Sequence, residues 1–326
     1  MAPISNIFTV LLCIYIFCVI IYYPIVLYGD KYRYEQLFDA ISIYNIQYWE
    51  KDVLWNYLAL FIKSLYDNSQ FYFAIIAFIY IYGYYKFSHK YIPPSYNFVF
   101  LLTTFGSMGF INYGVNTIRA GFALSILFLS LVYEKKLYKF LLIASISILF
   151  HKSMVIPVLS LYLTRYYKNT NTYLIIWLCI LTLSYLGLSS FIESLQGIFE
   201  NVDERVAYLS QTENELYDKA GFRFDFVLYS LMPIISGYYY LYKKNYDNPF
   251  YRHIYNTYLV INSFWLIVIR IPFTDRFAYL SWVFFPFIIL YPLLTQRLFK
   301  RQYVKIILAS FTVLFINFIL SVINTQ

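Results

Sequence analysis

The sequence predicts an all-α chain folded as a polytopic helical bundle in a membrane, and three observations carry that prediction. Of the 326 residues, 61% are hydrophobic and only 13% are charged, whereas an ordinary soluble domain runs at about 25% charged. Mean hydropathy is +0.58. Apolar runs of the length that spans a bilayer core, about 17–25 residues, recur from one end of the chain to the other. So few charges cannot cover a soluble globule of this size. This excludes a cytosolic enzyme, a disordered chain, a secreted disulfide scaffold and a nucleic-acid-binding domain. Cys13, Cys18 and Cys179 all fall in apolar runs, so neither a disulfide framework nor a metal pair can be read from them.

Nine segments are apolar and long enough to cross: 4–28, 70–87, 95–111, 116–133, 173–190, 224–242, 254–270, 277–294 and 304–322. The first carries no preceding side-chain cation and is too long for a signal-peptide core, so it reads as a retained helix. Two stretches are ambiguous. Residues 53–66 are apolar but short, and Lys63 interrupts them. Residues 140–163 are long enough, but their centre reads His151-Lys152-Ser153 with Pro157 close behind. The expectation is a single membrane domain, 1–326, with about nine to eleven membrane segments.

Charge orients these segments. The connections 86–94, 134–139, 164–172, 243–253 and 295–305 hold 14 Lys/Arg and, as acids, only Glu134 and Asp247. The positive-inside rule makes them cytoplasmic. The connections 29–69 and 191–223 are acidic and belong outside, which puts the N-terminus inside. Alternation fails once, because both turns flanking 140–163 are basic. A re-entrant pair, 140–150 and 154–163, with His151-Lys152-Ser153 at its tip, restores it. Irregular backbone at membrane depth is tolerated only beside protein or a water-filled cavity, so this segment points to a cavity.

An ionisable group among apolar residues is a functional candidate. Asp30, Tyr34 and Phe38 are spaced i, i+4, i+8 on one helix face. Arg119 opens a helix and shares a face with Asn116 and Ala123. His151 stands in an apolar run, whereas His89 and His253 sit in basic turns. Arg270 and Arg276 bracket a short connection containing Asp275. The traced topology puts all of these near the outer face, where basic residues run against the charge bias. An anionic ligand would explain them, since guanidinium groups bind phosphate through paired donors, and three arginines could cradle a pyrophosphate. The plain alternative is internal pairing, Arg119 with Asp30 or with carbonyls and Arg270 or Arg276 with Asp275. The outer loop 191–223 is acidic and long enough for a lid, with Arg205 and Arg223 as the cations that could turn inward. Glu50-Lys51-Asp52 has an acid-x-acid spacing that is common by chance, and no metal is assigned to it. Metalloprotease, Walker A, Cys-x-x-Cys and nucleophile-elbow motifs are absent.

Four short patterns occur in order over roughly residues 20–295. They are Gly29-x-x-x-x-Tyr34-x-x-x-Phe38 with Asp30, Asn116-x-x-Arg119-x-x-x-Ala123, Phe150-His151-x-Ser153, and Arg276-x-x-Tyr279. In these the sequence resembles the EpsG family of bacterial exopolysaccharide proteins, a branch of the Wzy-type polysaccharide polymerases. Lys152 departs from the small residue or Pro often found there. The resemblance implies a glycosyltransferase of the bacterial inner membrane, without a cofactor or metal. It would join undecaprenyl-pyrophosphate-linked oligosaccharide repeat units at the outer face, with inversion. His151 is then the general base, with Asp30 next. Arg119, Arg276 and Arg270 hold the pyrophosphate, and Tyr34, Asn116, Tyr279, Arg205 and Arg223 lie along the glycan. Membrane lipids, a chain-length regulator and a flippase are the implied partners, and nucleic acid is not one. An O-antigen-ligase-type enzyme, a polysaccharide acyltransferase or a flippase would share some of these features.

Overall fold

The computed structural model describes residues 2–24, 30–42, 44, 52–187, 221–270 and 274–324. Gly29, Glu50, Lys51, Arg205 and the acidic loop up to residue 220 lie outside the described residues. Every regular element among those described is helical. Contacts divide the chain into two compact units, Met1–Met154 with Ile307–Gln326, and Val155–Ile306.

The first unit contains α1 (Ala2–Tyr22), α2 (Asp30–Ala40), α3 (Val53–Leu65), α4 (Ser69–Tyr91), α5 (Asn97–Phe105), α6 (Met108–Val115), α7 (Ile118–Val132) and α8 (Leu137–Phe150), with most of the final helix, Gln302–Asn324. Hydrogen bonds fix its two ends. The Ser5 hydroxyl donates to the Pro94 carbonyl at 2.9 Å, joining the start of α1 to the turn after α4. Tyr91 Oη donates to the Leu131 carbonyl at 2.6 Å, so α7 finishes at that end too. This is the basic end, with turns 86–94 and 134–139. At the other end the Lys31 ammonium donates to the carbonyls of Ile20, Ile21 and Tyr23, which are left open where α1 stops. There the Ser69 hydroxyl at the start of α4 donates to Glu35 of α2 at 2.8 Å. Hence α1 and α4 are antiparallel, and α2 crosses the end opposite the basic turns.

One ambiguous stretch and one expected span are resolved here. Residues 53–66 do not run from end to end. Asp52, just before α3, pairs with Arg119 at the start of α7, and Lys63, late in α3, donates to the carbonyls of Phe38 and Asp39 at 2.9 and 2.6 Å. Both ends of α3 therefore belong with α2, and its 13 residues reach about 20 Å at 1.5 Å per residue, short of a bilayer core. The expected single span 95–111 breaks at Gly106-Ser107, with a 67° bend between Pro94–Phe105 and Met108–Val115. The break is stabilised from afar: Asn317 on the final helix accepts the Met108 N–H at 2.7 Å, and Ser107 Oγ donates to the Thr104 carbonyl. Side chains thus replace the interrupted helical bonds.

The interruption near His151 falls where the sequence puts it. α8 ends at Phe150, His151 is extended (φ −156°, ψ 120°) and a 3₁₀ turn covers Lys152–Met154. Among the described residues, three helical stretches are long and apolar enough to cross a membrane, Ser5–Tyr22, Asp275–Thr295 and Gln302–Leu320, or four with the bent pair. Each of the nine expected apolar segments contains helix, yet breaks and buried polar residues make many of the helices shorter than a full span.

The second unit contains α9 (Val155–Tyr166), α10 (Thr170–Tyr185), α11 (Phe224–Tyr238), α12 (Pro249–Ile267), α13 (Asp275–Trp282) and α14 (Phe285–Thr295). Asn169 and Asn248 cap α10 and α12 by accepting backbone N–H groups at 3.1 and 3.0 Å. Trp177 Nε1 donates to Asn262 Oδ1 and Ser184 Oγ to the Leu266 carbonyl, so α10 and α12 run parallel. Tyr258 and Tyr255 donate to the carbonyls of Ser230 and Ile234, which sets α11 antiparallel to α12. Tyr242 on Asn171, and Tyr246 with Thr295, gather the basic turns 164–172, 243–253 and 295–305 at one end. Residues 184–187, 221–225, 270 and 274–276 occupy the other.

Candidate functional site

In the first unit the predicted α2 face points inward, with Tyr34 and Phe38 buried. Arg119, in the first turn of α7, reaches back to this face. Its Nε donates to Tyr34 Oη at 3.1 Å, and its guanidinium carbon lies 5.4 Å from the Tyr34 ring centre. Its Nη1 lies 2.8 Å from Asp52 Oδ2. The ion-pair partner of Arg119 is therefore Asp52 rather than Asp30. Asp52 is only 9% exposed, and its backbone is left-handed, φ 53° and ψ 55°. Its carbonyl accepts the N–H groups of Trp55 and Asn56, which starts α3. No local spacing signals this pairing, because Asp52 and Arg119 come from distant parts of the chain.

Aromatic contacts carry the arrangement onward. Trp55 packs on Tyr34 with centroids 5.6 Å apart and edge-on against Phe122 at 5.7 Å. Phe122 in turn meets Phe150 at 4.8 Å, and His151 follows directly. Asp30, Tyr34, Asp52, Arg119 and His151 thus all lie at the end of the unit away from its basic turns. Asn116 sits one turn before Arg119, with its amide donating to Asn112 Oδ1 at 2.8 Å. Between them the buried Thr117 hydroxyl has no hydrogen-bond partner among the described residues.

The state of His151 follows from its surroundings. The Ser153 backbone N–H donates to His151 Nδ1 at 3.3 Å, and Ser153 Oγ lies 2.7 Å from the same nitrogen. A backbone N–H can only donate, so Nδ1 must present its lone pair, and the serine hydroxyl donates to it as well. The neutral ring then carries its proton on Nε2. A base that accepts a proton through Nε2 needs the opposite tautomer.

In the second unit the cations lie at the end away from its basic turns. Arg223 makes a two-pronged contact with Asp225, at 2.9 and 2.6 Å, and its guanidinium stacks 3.6 Å from the Phe226 ring centre. The paired hydrogen bonds to Asp225 raise its already high pKa, and Asp275 and Tyr279 add electrostatic support. Arg270 donates through Nη2 to the Tyr185 carbonyl at 3.2 Å and lies 5.6 Å from the Phe222 ring centre. Its partners are thus a carbonyl and a ring rather than Asp275. Its Nε is buried and has no hydrogen-bond partner among the described residues. An unused guanidinium donor is costly and suits an anionic ligand. Arg276 and Tyr279 open α13, with Tyr279 buried and 5.6 Å from Trp282.

Fold and site together define a polytopic helical membrane protein whose two units each carry arginines and aromatics at the end away from their basic turns. The model of the EpsG family matches residues 7–326, so the chain belongs to the EpsG family, whose members are Wzy-type polysaccharide-polymerase-like proteins. No curated protein and no solved structure matches the chain.

Proposed function

We propose that the protein polymerises undecaprenyl-pyrophosphate-linked oligosaccharide repeat units into a surface polysaccharide at the outer face of the bacterial inner membrane. Family membership supports the reaction class. The observation that carries the site is placement: in each unit the candidate arginines lie at the end opposite the Lys/Arg-rich turns, which is the outer end by the positive-inside rule.

In this reading an acceptor hydroxyl oxygen attacks the anomeric carbon of the growing glycan. The bond from that carbon to the pyrophosphate oxygen breaks, and the pyrophosphate leaves with the electron pair. Pyrophosphate is a good leaving group, so the main demand is for fixed positive charge where its negative charge develops. Arg119 in the first unit, and Arg276 and Arg270 in the second, are the proposed sources of that charge, and none of them loses its proton. In this reading His151 is a hydrogen-bonding group of the site, and the acceptor proton passes to Asp30. Tyr34 and Asn116 in the first unit, and Tyr279 and Arg223 in the second, are the proposed glycan-binding residues. Inversion follows from a single displacement. A chain-length regulator and a flippase of the same pathway are the functional partners.

A deletion strain tests the reaction class. Its surface glycan should carry single repeat units in place of a ladder, and the wild-type gene should restore the ladder. An unchanged ladder in the deletion strain refutes the polymerase assignment.

A further inference from the structure

We infer that Asp52 is a positioning residue that orients the guanidinium of Arg119 for a pyrophosphate group; the inference rests on the reading above. Two independent observations support it. The first is the buried ion pair, with Nη1 and Oδ2 2.8 Å apart. The second is the backbone: Asp52 is one of two non-glycine residues with positive φ among the described residues. A left-handed residue at the start of a helix is unusual, since that position ordinarily takes extended angles, and stored strain of this kind concentrates at functional sites. Here the strain presents a carboxylate to an arginine from a distant segment.

The geometry explains what Asp52 adds. An arginine side chain loses rotamer freedom when it is held, and immobilising it beforehand favours binding. Tyr34 engages Nε and Asp52 engages Nη1, so two anchors on different nitrogens fix the guanidinium plane. Among the described residues both N–H groups on Nη2 have no hydrogen-bond partner and remain for a ligand. A carboxylate beside a phosphate site also lowers the local positive potential. Orientation and net charge therefore predict opposite effects when Asp52 is neutralised.

The test uses the purified full-length protein in nanodiscs, with undecaprenyl pyrophosphate as the probe and equilibrium binding as the readout. Asp52→Asn keeps the side-chain shape and tolerates the left-handed backbone, and removes only the charge. Its affinity should fall about tenfold, comparable to losing an outer partner of a metal ligand, and Asp52→Glu should bind with intermediate affinity. In an Arg119→Ala background, which itself binds weakly, Asp52→Asn should change nothing further. If Asp52→Asn binds as tightly as wild type or tighter while Arg119→Ala is weak, Asp52 only balances charge, and the inference falls while the pyrophosphate reading stands. If Arg119→Ala binds like wild type, the pyrophosphate reading is itself wrong and the inference goes with it. Should the Asn variant fail to fold, Asp52→Glu decides alone: orientation requires weaker binding than wild type, and charge balance requires equal binding.

Discussion

Arg119 shows why residue type matters more than charge at this site. Its two anchored nitrogens and its open donors belong to one rigid plane, which a lysine ammonium cannot reproduce. Arg119→Lys should therefore lower polymer yield at least tenfold, or about 1.4 kcal/mol in transition-state stabilisation, with the protein still folded and inserted. The glycan ladder of a complemented deletion strain, read beside a membrane immunoblot, checks this, and Arg276→Lys should behave alike. At His151 the expected outcome is spectroscopic: ¹⁵N NMR of labelled histidine should report an unprotonated Nδ1 and a protonated Nε2 in the neutral ring. His151→Gln, which keeps a donor, should retain part of the activity that His151→Leu loses. If wild-type Nδ1 proves protonated, the base role returns to His151. Arg119 and His151 are legible in the sequence because an ionisable side chain in an apolar run stands out. Asp52 is not legible, because its importance lies in a partner that only the folded chain brings near.

Helices in this protein are tied by polar side chains at their ends and by close backbone approach at their crossings. Lys31 closes the open carbonyls of α1, and Lys63 closes those of α2, so the helix carrying Tyr34 is fixed at both sides. Burial pulls the Lys31 ammonium below the usual lysine range, and Glu35 opposes that. In the sequence Lys63 only interrupts an apolar run; its capping role depends on where α2 ends. The break at His151 is legible from a local polar triplet, whereas the break at Gly106 depends on Asn317, far along the chain. In the second unit Asn262 joins four helices. It accepts from Trp177 on α10 and donates to Ser230 on α11 and Ser281 on α13. Interhelical hydrogen bonds in membranes average about 0.6 kcal/mol each, so Asn262→Leu should cost about 2 kcal/mol, seen as a lower thermal midpoint in detergent. Between α4 and α7, a Cβ on Gly83 would overlap the Ser125 side chain and carbonyl. Gly83→Val should force the helices apart at a cost of about 1–3 kcal/mol or more, whereas Ser125→Ala, which loses only hydrogen bonds, should cost less.

The orientation of the whole molecule joins the charge pattern of the sequence to the geometry of the two units. The 14 Lys/Arg of the assigned inner turns set a direction without reference to any fold. Within the first unit, Ser5–Pro94 and Tyr91–Leu131 contacts mark one end, and Arg119, Asp52 and His151 mark the other. Within the second, Tyr242–Asn171 marks the basic end and Ser184–Leu266 the opposite one, near Arg270. Helix direction thus agrees with charge in both units, although several helices are too short for hydropathy alone to count as spans. If the basic ends face the cytoplasm, residue 212 in the acidic loop is accessible from outside and residue 169 in a basic turn is not. The measurement is single-cysteine labelling in a background with Cys13, Cys18 and Cys179 replaced by serine. Thr212→Cys should react with an impermeant maleimide in intact cells or spheroplasts, and Asn169→Cys only after permeabilisation. The reverse pattern would place Arg223 and Arg270 on the cytoplasmic side. Polymerisation at the outer face would then be impossible at this site, however well the arginines bound pyrophosphate.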